Sequence, residues 1–142
     1  MTRDAYLESR ILAADPVELI HILYEHAVVQ IRTARAALAA GDIVSRSVSI
    51  SKVLAILGEL EGSLNYNDGG SISQDLARLY QYMRKRLLEG SAKREDGALA
   101  EVESLMQTLD EGWTAIRHAA SIPAAPTYSV AVNETVSHSW SA

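Results

Sequence analysis

The residues able to do chemistry are few and scattered. Glu18-Leu19-Ile20-His21 has the E-x-x-H spacing that sets a carboxylate and an imidazole on one helix face, as di-iron helical sites require. Those sites need two such pairs and two further inward glutamates. This chain has one copy, and Glu18 is equally placed to cap a helix. His21 and Glu25 stand four apart, the spacing of an ordinary helix-surface pair. His26 is the candidate for an exposed phosphotransfer histidine, but no neighbouring Lys or Gly equips it to hold a phosphoryl group. His118 falls at a helix end and His138 in the final stretch. Arg32, Arg35 and Arg86 are the residue type that small helical mutases use, and nothing in the linear pattern gathers them. There is no cysteine, no glycine-rich phosphate loop and no G-x-S-x-G. No catalytic, cofactor-binding or metal-ligating residue is therefore assigned. A non-enzymatic binding protein is expected, with a mutase or phosphotransfer domain as the alternative.

Composition points the same way. The chain has 142 residues, 48% of them hydrophobic, enough for one packed domain. Its net charge of −5 would repel a phosphate backbone, and the run Arg84-Lys85-Arg86 reads as a solvated helix face, so no nucleic-acid partner is expected. The first residues carry no apolar signal region, and no apolar run approaches the ~18 residues needed to span a bilayer. A soluble protein of the cytoplasm, without membrane insertion, is the expectation.

The apolar residues recur at helical spacing. Residues 1–14 suit a short amphipathic arm carrying Tyr6, Leu7, Ile11 and Leu12; so short a helix is marginal unless it docks. Asp15, Pro16 and Glu18 mark the start of a first long helix. Its seam is Ile20, Tyr24, Ala27, Ile31, Ala34 and Leu38, spaced 4, 3, 4, 3, 4, and Gly41 ends it. Asp42 caps a second helix with the stripe Ile43, Ile50, Val53, Leu57, Leu60 and Leu64, beside Leu54. Gly58 and Gly62 lie inside it, each costing about 1 kcal/mol relative to Ala. Close helix approach is the commoner reason for such residues; a shallow groove for a foreign chain is the other. After an Asn65–Gly70 turn, Ser71 and Gln74 form a capping box for a third helix, which Gly90 closes. A polar link, 91–97, leads to a fourth helix with Leu99, Val102, Met106, Leu109, Trp113 and Ile116 inward. From residue 120 the composition turns to Ser, Thr, Ala and Pro. The expected fold is all-α: an antiparallel up-down four-helix bundle over 15–119, with a short N-terminal helical arm over 1–14 and a disordered tail over 120–142.

The third helix reads Leu76, Leu79-Tyr80, Tyr82-Met83 and Arg86-Leu87 in an L-x-x-L-Y-x-Y-M-x-x-R-L run. This resembles the signature helix of the FliS family of flagellar secretion chaperones. Tyr6 before Asp15-Pro16, Leu19-Ile20 with Leu23-Tyr24-Glu25, Gly41-Asp42-Ile43, and Leu105 with Trp113 match that family in order, over residues 5–118. The resemblance implies a cytoplasmic chaperone that binds the disordered C-terminal segment of flagellin, prevents premature polymerisation, and delivers the subunit to the flagellar type III export machinery. It also implies an arm that covers part of the client groove until the client displaces it. On this reading the client-binding residues are Tyr6, Leu7, Ile11 and Leu12 of the arm. Val28, Ile50, Leu54, Leu57, Tyr82 and Leu109 are the candidate groove residues. A monomer or weak homodimer is expected. A helical adaptor for a different client would show the same seams.

Overall fold

A computed structural model describes residues 3–13, 16–64 and 69–120. The described residues form five helices and no strand: α1 (Arg3–Ala13), α2 (Pro16–Ala40), α3 (Ile43–Gly62), α4 (Ser71–Lys93) and α5 (Asp96–Ala120). The Asp15 cap, residues 65–68 of the expected turn, and the tail after Ala120 lie outside them. The 25 residues of α2 make a rod of about 37 Å. α2 packs against α3 and α5, and both of these pack against α4.

The predicted seams meet in one core. Tyr24, Ala27, Ile31 and Ala34 of α2 face Val53, Leu57 and Leu60 of α3, Tyr80, Met83 and Leu87 of α4, and Leu99, Val102 and Met106 of α5. Ile20, Leu38, Leu76, Leu109 and Trp113 pack at its margin. One residue of the expected α3 stripe departs: Ile43 is 55% exposed. It opens the helix, before α2 and α4 can cover it, and Arg46 one turn on is buried instead.

Inside the core the Tyr24 and Tyr80 hydroxyls meet at 2.7 Å. Burial pushes both phenols above their ordinary value, Tyr80 the further. Above pH ~10 the unfolded chain ionises these tyrosines while the native chain keeps both protons, so stability falls as pH rises from there. Tyr80→Phe leaves the Tyr24 hydroxyl buried without its partner and should cost about 1–3 kcal/mol. Adding Tyr24→Phe should recover part of this in urea unfolding, because both polar groups are then gone.

The link between α2 and α3 follows the sequence. Gly41 takes φ +71°, where a side chain would be strained, and Asp42 N–H donates to the Ala37 carbonyl at 2.9 Å. The Asp42 carboxylate accepts from the Ser45 N–H at 3.1 Å and from its hydroxyl at 2.8 Å, which holds its pKa below the usual range. The start of α4 differs from expectation: Gly70, at φ +54°, is the N-cap, and Ser71 is already helical. Its end differs too. α4 runs past Gly90 to Lys93, and Arg94 stops it in the left-handed conformation at φ +56°.

The glycines exchange their expected roles. A Cβ on Gly90 would stand 2.9 Å from Ala98 Cβ and 3.1 Å from the Glu95 carbonyl, so Gly90 lets α4 and α5 close against each other. A Cβ on Gly58 or Gly62 would meet nothing within 4 Å. Close approach therefore does not explain the two glycines of α3; they face open space.

Candidate functional site

The charged residues are used in holding helices together. Arg35 donates to both Asp96 oxygens at 2.9 Å and to Glu103 at 3.0 Å, and Arg32 Nε donates to Glu103 at 3.0 Å. Burial alone would raise the Glu103 pKa; the two guanidiniums outweigh it and hold it low. Arg86 donates to Glu101 at 2.8 Å, which also accepts from the Tyr82 hydroxyl at 2.6 Å. Arg32 and Arg35 thus converge on Glu103 of α5 while Arg86 serves Glu101, so the three do not gather in one cleft as a mutase site would need. Arg84 of the basic run pairs with Glu61 of α3 at 2.6 Å. His21 Nδ1 meets Asp110 at 2.6 Å, tying α2 to α5, and its other nitrogen lies 3.8 Å from Glu25.

The arm is tethered by charge more than by its apolar face. Arg10 donates to Glu25 of α2 at 2.9 Å and stacks over its own Tyr6 ring at 5.8 Å. Leu7 is half-buried, whereas Tyr6, Ile11 and Leu12 are exposed, Leu12 to 79%. The candidate groove residues divide. Val28, Ile50 and Leu57 are core residues, Leu57 fully enclosed. Leu54 and Leu109 are half-buried, and Tyr82 is 42% exposed.

Beyond the arm, exposed large apolar side chains lie on α3 (Ile43, Val44, Val48) and α4 (Tyr82, Leu88). Val44, Val48, Ser51, Ala55, Gly58 and Gly62 recur at 4, 3, 4, 3, 4 and all are exposed. The strip holds no charged residue and follows the same period as the core stripe, rotated away from it. Beside it, a shallow depression of about 410 Å³ opens between α3 and the end of α4. Ile50, Leu54, Leu88 and Ala92 form its apolar wall; Arg46, Ser47, Ser51, Ser91 and Arg94 supply its polar groups. Leu88 is 50% exposed at its edge. No arm residue lines it. Of the candidate residues, the depression brings together Ile50 and Leu54 only.

Val44, Val48 and Leu88 were not singled out from the sequence, although the charge-free second stripe of α3 was the available signal. Among the described residues no helix is long and apolar enough to cross a membrane, and no three His, Asp or Glu side chains gather as a metal site would need.

A family model, "Flagellar protein FliS", matches residues 1–120. The chain is 34% identical over 116 residues to the "Flagellar secretion chaperone FliS" of Salmonella typhimurium, covering 81% of this chain and 86% of that protein. It is 31% identical over 112 residues to the "Flagellar secretion chaperone FliSB" of Pseudomonas aeruginosa, covering 79% and 89%. To the "Flagellar secretion chaperone FliS" of Bacillus subtilis it is 31% identical over 109 residues, covering 77% and 80%.

Proposed function

The chain belongs to the flagellar protein FliS family, and from that premise we propose that it binds the C-terminal segment of flagellin in the bacterial cytoplasm and hands it to the flagellar export machinery. It acts as a holder, not an enzyme. The observation that carries this reading is the uncharged, exposed strip of α3 from Val44 to Gly62 with Leu54 and Leu88 beside it. A flagellin end that assembles by helix packing is amphipathic and lays its apolar face into such a groove. Covering Val44, Val48 and Leu88 returns about 1.5–3 kcal/mol for each side chain fully buried. The missing side chains of Gly58 and Gly62 let a foreign backbone approach closely.

In this proposal the four long helices are an antiparallel up-down bundle over 15–119, and residues 1–14 are a movable arm. Tyr6, Leu7, Ile11 and Leu12 belong to the arm's contribution: apolar residues on a helix held by the exposed Arg10–Glu25 pair, an interaction type worth about 0–1 kcal/mol and easily exchanged. Tyr82 and Leu109 remain candidates at the edge of the client path.

Co-expression with the organism's flagellin tests the reading. A soluble one-to-one complex that loses stoichiometry when the flagellin C-terminal segment is deleted is expected. Flagellin that is not retained, or is retained equally without that segment, refutes it. The arm is tested separately: Tyr6→Ala with Ile11→Asp should change the Kd for a flagellin C-terminal peptide several-fold in calorimetry, and an unchanged Kd removes the arm from the site.

A further inference from the structure

Arg46 is the most anomalous side chain in the molecule. It is 8% exposed, and its buried Nε has no hydrogen-bond partner among the described residues. The other arginines that join helices, Arg32, Arg35, Arg84 and Arg86, each meet a carboxylate. A guanidinium is charged at every relevant pH, so it cannot shed the cost of burial by losing a proton. The polar side chains that line the depression with it are hydroxyls and a second cation, with no carboxylate among them. Ser47, Ser51 and Ser91 line the depression with it, and Arg94 stands exposed at the rim, fixed at the end of α4 by its left-handed backbone. A chain of net charge −5 thus keeps two cations and three hydroxyls around one cavity with no carboxylate in the lining.

We infer that this depression is an anion site for a carboxylate carried on an apolar peptide. The fork of a guanidinium matches a carboxylate in two parallel hydrogen bonds, and Arg46 lines the cavity with its Nε still unpaired. The serine hydroxyls supply further donors. Leu54 and Leu88 in the same lining select against a free hydrophilic anion and for a carboxylate flanked by aliphatic side chains. A glutamate side chain and a chain-terminal carboxylate share this chemistry. The inference stands on Arg46 and its cavity and does not depend on which protein is the client.

The test uses the full chain, labelled with nitrogen-15, and follows the Arg46 Nε–H resonance. An amidated leucine-leucine-glutamate-leucine peptide is the first probe, its glutamine counterpart the second, a trileucine with a free carboxyl end the third, and inorganic phosphate the fourth. The Arg46 resonance should move and its exchange slow with the glutamate peptide or the free-ended trileucine; whichever binds more tightly identifies the source. The glutamine peptide should bind at least about tenfold more weakly, as expected for loss of a charged hydrogen-bond partner. Arg94→Gln, at an exposed position, should weaken carboxylate binding several-fold with the fold intact by circular dichroism. Arg46→Met should abolish it. Equal binding of the glutamine peptide, a resonance that ignores both carboxylate probes, or a response to phosphate alone would overturn the assignment.

Discussion

Leu57→Ala should lower the unfolding free energy by about 2–5 kcal/mol, the range for emptying a fully buried leucine site. Against a total of roughly 5–15 kcal/mol for a domain this size, that is a large loss. Leu57 is 0% exposed and sits where α3 meets the seams of the other three long helices. Rigid rods cannot collapse into the space a leucine leaves, so the cavity persists. Leu54, three residues earlier, is only half-buried and lines the depression. Leu54→Ala should cost far less stability and act on client affinity. Urea unfolding of the two variants separates them. A small effect at Leu57 would mean that the residue faces a groove after all.

The second large effect is on binding. Val48→Asp combined with Ala55→Asp places two carboxylates in the middle of the exposed α3 strip. Both positions are open, so the free chain should keep its fold and its melting temperature within a few degrees. Once a client covers the strip, those charges are buried without partners at a cost of several kcal/mol, and affinity for a flagellin C-terminal peptide should fall by at least about 100-fold. Calorimetry reads this directly. Ile43→Asp, one turn before Ser47 and also exposed, serves as the comparison at the strip's margin.

The contrast between Leu57 and Val48 shows what is readable from the chain alone. The seams of α4 and α5 are each one apolar stripe bordered by charge, and periodicity identifies the buried side; Leu87 and Val102 fall where expected, as does Tyr24 of α2, although Ile22 and Gln30 are buried off that helix's expected seam. In α3 the ambiguity is greatest. This helix is apolar on more than one side, so the period of 3.6 is visible but the side facing the core is not. That choice depends on where α2 and α4 lie, and it separates Ile50 from Ile43 and Val53 from Val48. Arg46 illustrates the same limit, since a charged residue in a helix is assigned to solvent unless its neighbours are known.

Glycine roles were illegible for a related reason. Whether a missing Cβ serves a turn, a contact or an open face is a question of what stands opposite. Gly41 was readable because Asp42 follows it as a cap. Gly90 was not, because its partners Ala98 and Leu99 come from the next helix. The arm's amphipathic spacing was visible, while its tether to Glu25, formed by Arg10 across 15 positions, was not.

In the proposed complex the client lies on the outer face of α3. An amide chemical-shift map of the full chain, recorded with and without a flagellin C-terminal-segment peptide, tests this most directly. The expected result is a continuous track of large shifts over residues 44–62 with 88–92 beside it. A map in which those amides stay still, while shifts gather on the α2–α5 seam around 32–35 and 96–103, would contradict it.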